Sequence, residues 1–233
     1  MSVAERKLLA IHLAADAVLL YLGYVWLGVG ESSGLRLVWS AAFAMLVLAL
    51  ACWLHGGTFV FFRAPEGGMR AAFASAARRV PLLLVAAIVV IALYGLLAMA
   101  AVWSAQPAFR LASWLTLTLR TPVKPPAVAR VFLAVFWVLR WVVLPVALVP
   151  LGSAIAAEGW HGLRRVSWRA PRRYWLAVPV LLLAGLMLPF VLLRWVPAVN
   201  GFMLEMASFV VRMLAAYLLF AGSIWWLERA TPK

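Results

Sequence analysis

Acidic residues are scarce in this chain, with seven Asp and Glu against 21 Lys and Arg, and charge of either sign makes up only 12% of its 233 residues. A soluble domain is about one quarter charged, so an ordinary water-solvated surface is excluded. Cysteine is nearly absent. The single Cys52 excludes an intrachain disulfide and any multi-cysteine metal site, and its place inside an apolar run makes it a small buried hydrophobe. Catalytic signatures are missing as well: there is no nucleophilic triad, no zinc-protease spacing and no phosphate-binding glycine loop. The run His55-Gly56-Gly57 is too short to mark a metal or phosphate site, and His161 with Glu158 offers only two ligands. No catalytic residue, metal ligand or cofactor is assigned from the sequence.

What the chain has in excess is apolar surface. Hydrophobic residues make up 67% of it, more than one compact soluble core can bury, and apolar runs of about 20 residues are long enough to cross a hydrocarbon layer as helices. Six such spans are expected, at about 8–29, 36–61, 80–104, 130–156, 174–196 and 202–227. Open strands would leave backbone groups unpaired in lipid, and the alternation of a barrel is absent. The expected fold class is therefore an all-α integral membrane protein, a single polytopic domain over 1–233. The opening stretch MSVAERKLLAIHLAADAVLLYLGYVW imitates a signal peptide in its charge order. Its apolar part is longer than a signal core, contains Asp16 and lacks a small-x-small cleavage site, so it reads as an uncleaved first span.

The net charge of +14 lies in short segments between apolar runs, which fits anionic headgroups and the positive-inside rule better than nucleic acid. With both termini in the cytoplasm, 13 Lys and Arg fall inside and 6 outside, while Arg140 and Arg212 lie within spans. The third loop is the exception, carrying Arg110, Arg120, Lys124 and Arg130 on the expected outer side. Its residues 107–128 read either as an outer loop with an interfacial segment around Leu111, Trp114 and Leu115 or as a re-entrant element. The 18 Arg against 3 Lys, with abundant Ala, Leu and Val, point to a bacterium with a GC-rich genome, hence to its inner membrane. Tryptophans 26, 39, 103, 175, 195, 225 and 226 cluster at span ends as an aromatic belt.

Two segments repeat a pattern 94 positions apart: GMRAAFASAARRVPLLL from Gly68 and GLRRVSWRAPRRYWLAV from Gly162. In the first, Met69, Ala72, Phe73 and Ala76 recur at helical spacing while Arg70, Arg78 and Arg79 fall elsewhere. In the second, Leu163, Val166 and Ala170 are the apolar part and Arg164, Arg165, Arg169, Arg172 and Arg173 the basic part. Each reads as a short amphipathic helix along the cytoplasmic surface, its arginines reaching for anionic lipid headgroups. The unit of span, surface helix and span covers 36–104 and again 130–196, a parallel internal repeat in expectation.

This layout, with GMRAAFASAARRVP and GLRRVSWRAPRRYW each preceding a span, resembles the bacterial six-helix membrane proteins related to the membrane domain of glycerophosphoryl diester phosphodiesterase, over residues 36–227. Neither a soluble phosphodiesterase domain nor its acidic metal ligands are present, so the resemblance implies architecture and no chemistry.

Ionisable groups inside the bilayer are the informative residues, because each is costly unless paired or hydrated. They are His12 and Asp16, four apart on one helical face, His55, Arg140, Glu205 and Arg212. As a structural set they would face the bundle interior and hold helices together through polar partners. As a functional set they would form a path for a proton or polar substrate. The reading placed first is a lipid-contacting scaffold or accessory subunit of a membrane complex, with membrane lipids and a protein partner or second copy as its partners. The alternative is a small transporter or channel using the intramembrane charges, and an intramembrane enzyme ranks third.

Overall fold

The computed structural model describes residues 2–30, 32–164, 172–198 and 200–231. Among them every element is helical and no strand occurs: α1 (Val3–Leu27), α2 (Gly34–Arg63), a 3-10 turn (Pro65–Gly67), α3 (Gly68–Ala77), α4 (Val80–Trp103), α5 (Ala105–Leu119), α6 (Pro125–Val138), a π turn (Leu139–Val143), α7 (Leu144–Glu158), α8 (Trp160–Arg164), α9 (Arg172–Arg194) and α10 (Phe202–Ala230). Among the described residues five segments are long and apolar enough to cross a membrane: α1, α2, α4, the joined Pro125–Glu158 and α10. The expected span at 174–196 falls on α9, whose apolar part, Val178–Arg194, is shorter.

The helix ends follow from local chemistry. Ser2 caps α1 by accepting from the Glu5 amide at 3.1 Å while Glu5 accepts from the Ser2 amide at 2.9 Å, a reciprocal box that satisfies two otherwise orphaned donors. Ser33 opens α2 by accepting from the Arg36 amide. Pro145 has no amide hydrogen to give the Trp141 carbonyl, and a regular α turn would press its ring against that carbonyl. The chain widens here into the π turn, where the Leu144 amide donates to the Leu139 carbonyl five residues back.

The chain divides into two compact units, Met1–Ala87 with Val149–Lys233, and Ile88–Leu148. The divisions fall within α4 and α7. In the first unit α1, α2 and α10 pack pairwise, α3 lies on α2, and α9 lies on α10. Glycines set two of these approaches: a Cβ on Gly56 would stand 2.7 Å from Leu83 Cδ1 of α4, and one on Gly57 would stand 2.7 Å from Phe73 Cδ1 of α3. At the other end of the α1–α2 pair, the Trp26 indole donates to the Ser40 hydroxyl at 3.0 Å and carbonyl at 3.1 Å.

The second unit contains no Asp or Glu. Residues 105–119, left between loop and re-entrant element by the sequence, form α5, which packs on α6 through Ala108, Ala112 and Val128. Thr116 fastens the turn between them: its hydroxyl donates to the Ala112 carbonyl and accepts from the Val123 amide, both at 2.9 Å. Arg120, at φ 52, ends α5 in the left-handed region.

Candidate functional site: a buried histidine and carboxylate cluster

Helical spacing places one stripe of each of three helices in a common interior. On α1 the buried residues are Leu8, His12 and Asp16; on α2 they include Leu54, Thr58 and Phe61; on α10 they include Ala221, Trp225 and Glu228. The polar members of these stripes meet. His12 is 1% exposed, Glu228 2%, Asp16 4% and Thr58 0%, while the His55 side chain is 29% exposed.

The geometry is close throughout. His12 Nδ1 lies 3.3 Å from Asp16 Oδ2, and His12 Nε2 lies 2.6 Å from Thr58 Oγ1 and 3.2 Å from Glu228 Oε2. His55 Nδ1 lies 2.6 Å from Glu228 Oε1, and His55 Nε2 lies 4.0 Å from Asp16 Oδ1. The two imidazole rings are 5.5 Å apart. The Tyr217 hydroxyl donates to the Leu13 carbonyl, adding an α10-to-α1 tie beside the cluster.

Charge is the central property of this arrangement. With neutral imidazoles the two carboxylates carry a formal charge of −2. Among the described residues no Arg or Lys pairs with either: Arg229 goes to Glu5 at 3.4 Å, and Arg63 goes to Glu158 at 3.5 Å. Desolvating an uncompensated charge costs several kcal/mol per ion, so the cluster requires compensation, from protons on the carboxylates or the imidazoles or from a bound cation. Glu228 Oε2 is buried without a hydrogen bond. Ligand atoms from His12, His55 and Glu228 all lie within 4.8 Å of one another, a set able to hold a metal ion.

The other expected polar sites fall elsewhere. Arg140, on the π turn of the second unit, donates through Nε to the Phe136 carbonyl at 3.4 Å and lies over the Tyr94 ring at 5.5 Å. An acidic partner is replaced there by a carbonyl and an aromatic face because its unit has no acid. Arg212 donates to the carbonyls of Ser208, Leu193 and Trp195, the last at 2.5 Å, and so fastens the end of α9 to α10. Glu205 has no ion pair among the described residues; it is exposed in the first turn of α10, where the helix N-terminus favours a negative charge. Glu205 and Arg212, seven positions apart on α10, therefore form no pair with each other.

The basic segments also differ from the simplest surface helix. The apolar face of α3 packs on protein, with Ala72 and Ala76 buried and Phe73 edge-on to Trp53 of α2 at 5.8 Å. Of its arginines, Arg70 and Arg78 are exposed, while Arg79 donates to the Ala156 carbonyl at 2.8 Å and caps the last turn of α7. Arg164 is exposed at the end of α8. Arg165 and Arg169, with the side chains of Arg172 and Arg173, lie outside the described residues.

Glu228 is the residue that sequence reasoning missed. The expected last span stopped at 227, one position short, although Trp225 and Glu228 share a face. Thr58 had no signal apart from its three-residue distance from His55. The described helices are those of a multi-pass membrane protein with a polar site inside one of its units. No protein-family model matches the chain, and neither a curated protein nor a solved structure matches it.

Proposed function

We propose that the chain is a small cation transporter or channel of a bacterial inner membrane, with the His12, Asp16, His55 and Glu228 cluster as the point where its solute binds. The observation that carries this reading is two carboxylates buried together among three apolar helices with no Arg or Lys among the described residues paired to either. A scaffold needs no such arrangement, since an apolar interface of the same volume avoids the desolvation cost. Of the four, the His55 side chain is the most exposed.

The six-span layout, its resemblance to the glycerophosphoryl diester phosphodiesterase membrane-domain family and cytoplasmic termini belong to the same reading. The span layout and the orientation are supported by the five long apolar segments, the shorter apolar α9 and the 13 to 6 charge asymmetry. Arg70 and Arg78 remain as headgroup contacts. Arg70 lines an apolar groove with Ile11, Val18, Leu50 and Phe73 that is suited to an acyl chain.

The test is flux into proteoliposomes loaded with indicators for protons, monovalent cations and divalent cations. Wild-type protein should carry at least one of them saturably, and Asp16→Asn and Glu228→Gln should abolish that flux while keeping helicity. Absence of flux for every cation from folded protein would return the chain to the scaffold reading.

A further inference from the structure

We infer that the cluster binds one divalent transition-metal cation of the zinc class through His12 Nε2, His55 Nδ1 and the Glu228 carboxylate, with Asp16 orienting His12 from behind. The inference rests on the reading above that this cluster is where the solute binds, and it names the solute's chemistry.

Geometry around His12 is the first support. His12 Nδ1 faces Asp16 Oδ2 at 3.3 Å, which leaves Nε2 facing Thr58 Oγ1 at 2.6 Å and Glu228 Oε2 at 3.2 Å. A metal on Nε2 would leave the Nδ1 side to Asp16, the carboxylate–histidine–metal relay that orients ligating histidines.

Charge and distance agree. One divalent ion offsets the formal −2 of Asp16 and Glu228 with both imidazoles neutral. Metal bonds of about 2.0–2.1 Å in a tetrahedron put neighbouring ligand atoms roughly 3.3 Å apart. The His12 Nε2 to Glu228 Oε2 separation is 3.2 Å. The His55 to Glu228 contact, now 2.6 Å, would open modestly around the ion. Glu228 Oε2, buried without a hydrogen-bond partner, is the lone pair left for it. Two nitrogens with one carboxylate favour zinc-class ions over Mg2+ and Ca2+, which take oxygen cages. Three protein ligands leave a position through which a solute can exchange.

The experiment is titration of chelator-stripped, detergent-purified full chain with Zn2+ and Co2+, reading stoichiometry by competition with a coloured chelator and geometry by the Co2+ visible spectrum. The expected result is one equivalent per chain, a tetrahedral Co2+ spectrum and no displacement by excess Mg2+. His12→Ala and Glu228→Gln should remove the site, and Asp16→Asn should weaken it about 10- to 100-fold. His12→Cys retains a ligand at that position and should add a thiolate-to-Co2+ charge-transfer band, which places the ion on residue 12 even where the alanine variant folds poorly. His161→Ala should change nothing. Folded wild-type protein that binds no Zn2+ or Co2+ stoichiometrically, or a site lost in His161→Ala and kept in His12→Ala, would overturn the inference. Flux of another cation without stoichiometric metal binding would overturn the metal and leave transport standing; stoichiometric metal without flux of any cation would do the reverse.

Discussion

Gly57→Ala tests the close approach that seats α3 on α2. An alanine Cβ at this position would stand 2.7–2.8 Å from three ring atoms of Phe73, Cγ among them. Carbon atoms in contact prefer about 3.5–4.0 Å, so the ring must retreat by on the order of 1 Å. Because Cγ is involved, rotating the ring does not relieve the clash. The retreat disturbs two further contacts, the edge-on pairing of Phe73 with Trp53 at 5.8 Å and the Trp53 indole bond to the Phe73 carbonyl at 3.0 Å. Overpacking of this kind costs about 1–3 kcal/mol and an aromatic pair contributes roughly 0.5–1.5 kcal/mol. Against them stands a gain of about 1 kcal/mol from replacing glycine inside a helix. The expected net loss is about 2 kcal/mol, or roughly 4–8 °C in the apparent Tm for a chain of this size. Thermal unfolding in mild detergent reads it, with Gly23→Ala as the control, since nothing lies within 4 Å of a Cβ there. Adding Phe73→Leu to Gly57→Ala should recover part of the loss. Equal Tm values for Gly57→Ala and Gly23→Ala, without coupling to Phe73, would refute the packing account.

The same assay separates two neighbouring arginines: Arg79→Gln, which loses the charged bond to the Ala156 carbonyl, should cost about 1.5–3 kcal/mol, whereas exposed Arg78→Gln should stay within about 0.5 kcal/mol. Thr58→Val removes the hydroxyl facing His12 Nε2 and should cost about 1–3 kcal/mol in metal-free protein, a loss that Thr58→Ser largely restores. Reporter fusions after Lys233 should be active only with a reporter that works in the cytoplasm, and a periplasmic signal there would reverse the orientation.

The helical class and the positions of the long apolar segments were legible because lipid demands continuous apolar runs, and such runs are visible without knowing any neighbour. The four-residue spacing of His12 and Asp16 likewise determined their contact in advance, since it is a property of one helix. Glu228 was not legible, because its role depends on α10 lying against α1 and α2, and pairwise packing of apolar helices leaves no trace in composition. Gly56 and Gly57 misled for a related reason: beside a histidine they were weighed as a ligand motif and dismissed, whereas their function is to admit Leu83 and Phe73. Arg140 was expected, with the other intramembrane ionisable groups, to find a polar partner, and the partner it lacks is an acid. Partners are drawn from nearby elements, and residues 88–148 contain none to offer.

The depth of the cluster along α2 has an electrical consequence. His55 precedes Arg63, at the end of α2, by eight residues, about 12 Å along the helix axis. On the proposed orientation, with Arg63 at the cytoplasmic edge of a hydrocarbon layer of about 30 Å and some tilt, His55 would lie roughly a third of the way in. Carrying one elementary charge across 100 mV costs about 2.3 kcal/mol. A doubly charged ion climbing a third of that field from the negative face spends about 1.5 kcal/mol, near a tenfold change in affinity. On the proposed metal binding and orientation, occupancy reached from the cytoplasm would fall about tenfold for each further 100 mV of hyperpolarisation, and the proposed site would respond to the membrane's energised state as well as to the ion's concentration.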